Sequence, residues 1–132
     1  MMTKVQSHRE LIVWQKAMDL AVETYRLTSK FPASENYRLV SQITRAVASV
    51  PANIAEGNAR GTKRDYANFL AIARGSLMET ETLLMLAIRL KYVTQEQAEY
   101  ALNLVTEVSK MLTALRSRLN EGIREQGIGN RE

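Results

Sequence analysis

Apolar residues recur every three or four positions along most of the chain, which is the spacing that lines one face of an α-helix. Four stretches show this pattern, and none alternates in the manner of a β-strand. The repeating residues are Leu11, Trp14, Met18, Ala21 and Tyr25; Leu39, Ile43, Val47, Val50 and Ile54; Leu70, Ala73, Leu77 and Leu84; and Ala98, Ala101, Val105, Val108 and Leu112. Four amphipathic helices with short connections can bury such stripes only against one another. We therefore predict an all-α fold, an antiparallel up-down four-helix bundle.

The predicted helices start at residues whose side chains can accept free backbone N–H groups. The spacing Ser/Thr-x-x-Glu/Gln or acid, typical of a capping box, occurs at Ser7–Glu10, Thr62–Asp65 and Thr94–Gln97, and Ser34 is the candidate cap of the second helix. The first helix is expected to end near Lys30, because Phe31 precedes a proline.

Pro51 interrupts the second apolar stripe, which resumes at Ile54. A proline inside a helix cannot donate its backbone hydrogen bond, so we predict a kink there, with the carbonyl of Val47 losing its donor. The bundle is expected to span residues 1–121. The last residues, 122–132, are predicted to form a flexible C-terminal tail.

Composition limits the class of protein. The chain has 132 residues, 45% hydrophobic and 24% charged, which suits one globular domain. It has no cysteine, and no stretch is apolar enough for a membrane span or a signal peptide. We therefore expect a cytoplasmic protein without membrane contact. The formal net charge of +4 favours polyanionic partners.

Catalytic chemistry finds little support in the sequence. The chain has one histidine, His8, so neither a histidine-rich metal pair nor a histidine triad can be built in a bundle core. No phosphate-binding glycine loop occurs either. We predict a non-enzymatic protein with no metal and no cofactor.

A second set of residues is polar and follows the apolar stripe of the second helix. Arg45, Ser49, Asn53 and Glu56 recur at three- and four-residue spacing. The structural interpretation is that Ser49 and Asn53 bind carbonyls freed by Pro51, while Arg45 and Glu56 pair with third-helix groups such as Ser76 or Glu79. A binding site is the alternative.

The chain resembles the 23S ribosomal RNA intervening-sequence proteins, also called four helix bundle proteins. The matching residues are Val13-Trp14-Gln15-Lys16-Ala17, Phe31-Pro32, Ser41-Gln42-Ile43 with Arg45-Ala46, Ser49-Val50-Pro51-Ala52-Asn53-Ile54-Ala55-Glu56-Gly57, Arg60, Phe69-Leu70, Ala73, Gly75-Ser76-Leu77 and Glu79. The resemblance implies a bundle that assembles as a ring-like homopentamer. The chain is also similar to the accessory variability determinant proteins of diversity-generating retroelements. This second resemblance implies binding to nucleic acid and to a partner protein.

The charged residues suggest where such binding would occur. In an up-down bundle, the turn between the second and third helices lies near the end of the fourth, which collects Arg60, Lys63, Arg64, Arg116 and Arg118. Lys4, Arg9 and Arg124 are expected at the same end. We predict a homo-oligomeric module that binds RNA or DNA there. The alternative is a structural or protein-interaction assembly without nucleic-acid affinity.

Apolar residues outside the main stripes bear on assembly. Ile12, Val13, Leu20 and Leu86 would be partly exposed in an isolated bundle, so we expect an oligomer larger than a dimer. Trp14 can serve either as a core residue or as an oligomer contact.

Overall fold

The computed structural model describes residues 7–130 and their side chains to residue 127. Four α-helices make up this part of the chain: α1 (Ile12–Thr28), α2 (Leu39–Ala59), α3 (Lys63–Arg89) and α4 (Gln95–Asn130). Single turns of 3-10 helix precede α1 and α2, and no strand occurs between residues 7 and 130. The predicted all-α fold is confirmed.

The helices pack as a four-membered bundle. Helix α1 contacts α2 and α4, α3 contacts the same two helices, and within residues 7–130 the diagonal pairs do not approach one another. The fully buried large side chains come from all four predicted stripes, namely Leu20, Leu27, Ile43, Val47, Val50, Ile54, Leu70, Leu77, Leu84, Val105, Val108 and Leu112. Burial of these side chains is the main force that holds the helices together. The up-down order of the helices stays a prediction.

Helix α2 continues on both sides of Pro51, which is buried. The sequence predicts that Asn53 binds the carbonyl group that Pro51 leaves without a donor, and this prediction was wrong. The Asn53 amide Nδ2 donates to the carbonyl of Ser49 at 2.8 Å, rather than to the Val47 carbonyl that loses its donor. The kink stays a prediction.

The starts of the helices agree with the sequence in two places of four. Thr62 Oγ1 accepts the Asp65 N–H at 3.1 Å, and Thr94 with Gln97 forms a reciprocal capping box at 3.0 Å in both directions. Ser7 caps only the 3-10 turn His8–Glu10, so the prediction that it starts the first helix was wrong.

Ser34 does not cap α2. It lies within the 3-10 turn Ala33–Glu35, and the Leu39 N–H at the start of α2 instead donates to the Glu35 carboxylate at 3.3 Å. A longer acidic side chain reaches back from the preceding turn, so the neighbouring glutamate takes the role expected of the serine.

Helix α4 is the longest element and runs past the predicted end of the bundle. Residues 122–130, expected in the tail, continue α4, and the last two residues lie outside the described part of the chain. Ile123 is half-buried, which places at least part of this segment against the bundle. The predicted boundary at residue 121 therefore falls inside a continuous helix.

The expected exposure of four apolar residues was correct for two. Ile12 is 60% and Leu86 43% exposed, whereas Val13 and Leu20 are buried. These two face the core of the bundle because they lie four and three residues from Ala17, another buried position of α1. In the described part of the chain, no helix has the length and apolar character needed to cross a membrane.

Candidate nucleic-acid interface and polar groove

The turn between α2 and α3 brings three of the predicted binding residues together. Residues 60–62 separate the two helices, and Thr62 caps α3. Arg60, Lys63 and Arg64 are all exposed at this turn. We call this turn, with the end of α4 beside it, the basic end of the bundle.

Arg60 is held in place by two neighbours. Its guanidinium lies 3.2 Å from the Glu56 carboxylate and 4.8 Å from the centroid of the Phe69 ring. The expected pairing of Glu56 with helix α3 is therefore wrong, because Glu56 pairs with Arg60 at the C-terminal end of its own helix, α2. A neutralised, stacked arginine can orient a ligand but contributes less net charge to it.

Lys63 and Arg64 are different because no ion pair within 4 Å engages them among the described residues. Together with Ile123, Gln126 and Gly127 of α4 they line a cleft of about 490 Å³. Both lie in the first turn of α3, where a positive charge opposes the helix dipole. Folding alone gives no reason to place two cations there.

The lysine side chain crosses to α4 at Gly122. A methyl group at Gly122 would come within 2.7 Å of Lys63 Nζ, so the missing side chain makes room for the lysine. The amine therefore lies beside α4 and the cleft.

The other two predicted binding residues lie elsewhere. Arg116 is half-buried, and its Nε is enclosed without a hydrogen-bond partner. Arg118 is exposed and lines a groove between α1 and α4, beside Leu11 and Leu115. Residues two apart project about 200° apart on a helix, which explains why these two arginines do not share one surface.

Of the further cations expected at this end, Arg9 and Arg124 are exposed, and Lys4 lies outside the described residues. Arg124 follows Ile123, which lines the cleft. The positive charge of the basic end therefore comes mainly from the residues of the turn, with Arg124 nearby.

Two residues of the predicted polar stripe, Ser49 and Asn53, take part in a hydrogen-bonded network between α2 and α3. Asn53 Nδ2 donates to Ser49 Oγ at 2.8 Å, and Ser76 Oγ donates to the same oxygen at 2.9 Å. The pairing across the two helices thus involves Ser49 rather than Arg45, which donates to Ser41 Oγ at 3.1 Å in its own helix.

Arg45 and Glu79 face the same groove without pairing. Both line a groove of about 690 Å³ between the start of α2 and the end of α3, and no ion pair within 4 Å joins them. Leu86, Leu90 and the 95% exposed Tyr37 lie in or at the same groove. We call it the polar groove.

A contact that closes the opposite end of the bundle was not predicted. Tyr92 Oη donates to the Glu35 carboxylate at 2.7 Å, joining the α1–α2 and α3–α4 connections. This bond, with the Leu39 N–H and the nearby Arg38, holds the pKa of Glu35 below its ordinary value despite partial desolvation. The same bond and desolvation raise the pKa of Tyr92. Residues 57 positions apart carry no periodic signal that would pair them.

Known proteins that resemble the chain share this architecture. A family model described as 23S rRNA-intervening sequence protein matches residues 9–114. A crystal structure of a protein of unknown function from the S23 ribosomal protein family of Bacteroides thetaiotaomicron is 32% identical, with a TM-score of 0.72. That similarity covers 80% of this chain and 98% of the other. No curated protein sequence matches the chain.

Proposed function

The chain belongs to the 23S rRNA-intervening sequence protein family, and we propose that it acts as a homo-oligomeric module that binds the phosphate backbone of RNA or DNA. The observation that carries this proposal is the exposed pair Lys63 and Arg64, two cations at a helix start with no ion pair among the described residues. The backbone N–H groups of the first turn of α3 point the same way and favour an anion.

Assembly makes this small charge effective. Two free cations in one copy bind a polyanion weakly, but a ring with all basic ends on one side presents them several times to one strand. A pentamer, as the family resemblance implies, would present about ten such cations on one rim. We place this activity in the cytoplasm.

The test compares two double variants of equal charge. Lys63→Glu with Arg64→Glu changes the proposed site, whereas Arg74→Glu with Lys110→Glu makes the same charge change at exposed positions outside the turn. Binding is measured by fluorescence anisotropy with labelled single-stranded RNA and DNA over a series of salt concentrations. Circular dichroism and light scattering check that helicity and oligomer size persist.

We expect the wild-type protein to bind both strands and to lose affinity steeply with salt, because counterions are released on binding. The Lys63/Arg64 variant should lose binding, and the Arg74/Lys110 variant should keep most of it. Loss of two contacts per copy lowers the slope of log affinity against log salt by about 1.4 per copy on a single strand. No binding by the wild-type protein at roughly 50 mM salt would reject nucleic-acid binding.

One observation favours the alternative, an assembly without nucleic-acid affinity. Arg60 is already paired with Glu56, and Arg116 is half-buried with its Nε enclosed, so only part of the predicted basic surface is available. A wild-type protein that is oligomeric but does not bind either nucleic acid would support this alternative.

A further inference from the structure

The cleft at the basic end has two walls of different chemistry. Lys63 and Arg64 supply the positive charge of one wall, and both belong to α3. The opposite wall is α4, where the described lining residues Ile123, Gln126 and Gly127 carry no charge. A phosphate chain in this cleft would therefore lie along α3, with its sugars and bases turned towards α4.

Helix α4 continues past the start of α3 and forms a projecting wall. Gly122 lies against the Lys63 side chain at the start of α3, and residues 123–130 then continue α4. At a rise of about 1.5 Å per residue, this continuation is about 12 Å long. We call residues 123–130 the α4 projection. Lys63 and Arg64 therefore lie beside a wall and not on a flat surface.

Two glycines leave both walls of the cleft bare, although the fold requires neither of them. Gly61 lies in the turn between α2 and α3, and Gly127 lies in α4, where glycine disfavours a helix. Neither has a positive φ, and no neighbouring atom in the described part of the chain lies within 4 Å of the position that a methyl group would take. Backbone conformation and packing therefore do not explain these glycines, whereas close approach of a ligand to the backbone does.

The width of the cleft selects one form of nucleic acid. Packed helices lie about 8–10 Å apart, and α3 and α4 are two such neighbours. A double helix does not fit between them, since its major groove alone is about 12 Å wide. A single strand is thinner and exposes its phosphates, sugars and bases to both walls. The cleft volume of about 490 Å³ lies within the usual range of small-ligand sites, which suits a short stretch of one strand.

We propose that this cleft holds a single strand of nucleic acid and that the α4 projection excludes duplexes. This inference rests on the proposed function and names the form of nucleic acid that the basic end binds. It reverses the preference expected from charge alone, because a duplex carries about one charge per 1.7 Å and a single strand about one per 3.4 Å. None of the described residues that line the cleft is aromatic, so binding does not depend on base stacking and should tolerate any sequence.

The first test compares single strands with a duplex of equal length, using the full chain. Labelled oligo-dT, oligo-U and a DNA duplex are titrated at one salt concentration, with fluorescence anisotropy as the readout. We expect both single strands to bind more tightly than the duplex. A duplex that binds as tightly as the single strands, or more tightly, would overturn the inference while leaving nucleic-acid binding at the basic end intact.

Truncation after Gly122 removes the wall without changing the net charge. The deleted segment contains two cations and two carboxylates, Arg124, Glu125, Arg131 and Glu132, so the formal net charge stays at +4. The truncated protein should bind the duplex more tightly than the single strands, as charge alone predicts. Duplex affinity that falls on truncation would place the projection in a groove of the duplex and overturn the inference. An unchanged preference for single strands would overturn it as well.

A substitution inside the cleft gives a matched test in the intact chain. Gly127→Leu keeps the charge and favours the helix, but it fills the space beside α4. This variant should lose most single-strand binding, while circular dichroism and light scattering show that helicity and oligomer size persist. Gly75→Leu, the same change at an exposed glycine of α3 outside the cleft, should bind as the wild-type protein does.

The outcomes separate this inference from the proposed function. Single-strand binding by Gly127→Leu at wild-type strength would overturn the role of the cleft, although Lys63 and Arg64 could still bind phosphates at the surface. A wild-type protein that binds neither single strands nor duplexes would reject the proposed function, and the inference with it.

Discussion

Replacing Gly57 by alanine should destabilise the bundle, although alanine is the better helix former. Gly57 is buried in α2 where α3 crosses it. A methyl group there would lie 2.8 Å from Phe69 Cβ, 3.0 Å from Tyr66 Cδ1 and 3.2 Å from the Tyr66 carbonyl oxygen. Two of these atoms are fixed to the α3 backbone, so the helices must move apart.

The magnitude follows from two opposing terms. Overpacking of a well-packed contact costs roughly 1–3 kcal/mol. The gain from replacing a helical glycine by alanine is about 0.5–1 kcal/mol. We therefore expect the free energy of unfolding to fall by about 1–2 kcal/mol, a substantial share of the ~5–15 kcal/mol that stabilises a typical domain.

Urea unfolding followed by circular dichroism measures this change, at one fixed protein concentration because oligomer stability depends on it. Gly75→Ala is the matched control, since no atom lies within 4 Å of the position its methyl group would take. It should gain roughly 0.5–1 kcal/mol. If Gly57→Ala proves as stable as the wild-type protein, the close approach of α2 and α3 at this point is not rigid, and the steric reasoning is wrong.

Three further substitutions give distinct outcomes. Thr94→Ala removes half of a reciprocal capping box and should lower the free energy of unfolding by about 1 kcal/mol in urea titrations. Ser7→Ala, at a single 3-10 turn, should change the free energy of unfolding by no more than about a few tenths of a kcal/mol. Tyr92→Phe should flatten the pH dependence of the melting temperature. The lowered pKa of Glu35 gives stability that is present above its ordinary value and lost as pH falls through the folded value, and the raised pKa of Tyr92 gives stability that is lost as pH rises through its own folded value. A pH profile identical to that of the wild-type protein would contradict this role of the bond. Arg116→Met should leave nucleic-acid binding and thermal stability unchanged or slightly improved, because the Arg116 Nε is enclosed without a partner; a loss of binding would instead place this arginine at the interface.

The elements that local sequence determines were predictable. The core followed the periodic stripes, and the caps at Thr62 and Thr94 followed from residues only three positions apart. At Ser7 the same local signal caps only a single 3-10 turn, and Ser34 lies inside another such turn rather than at its start. Capping residues mark where a turn starts, not how far the helix after it continues.

The candidate site was harder to predict because it depends on which side of a helix faces which neighbour. The sequence placed Arg60, Lys63 and Arg64 correctly at one turn, since they are close in the chain. It did not predict that Arg60 contacts the Phe69 ring and Glu56, or that Arg116 is half-buried with its Nε enclosed. The rotation of a helix about its axis is fixed by packing against its neighbours. A single sequence indicates this rotation only through the mean direction of the helix's apolar stripe.

The order in which the helices contact one another has a kinetic consequence. Three of the four helix pairs in contact are consecutive in the chain, and only the pair of α1 and α4, which includes the ion pair of Lys16 with Glu107, joins distant segments. Contacts between consecutive helices require only short loops to close, so the chain should fold within micro- to milliseconds, as helical bundles of low contact order do. Docking of α4 on α1 closes the largest loop and is therefore expected to form last. Mutations at that seam should accelerate unfolding while leaving the folding rate nearly unchanged.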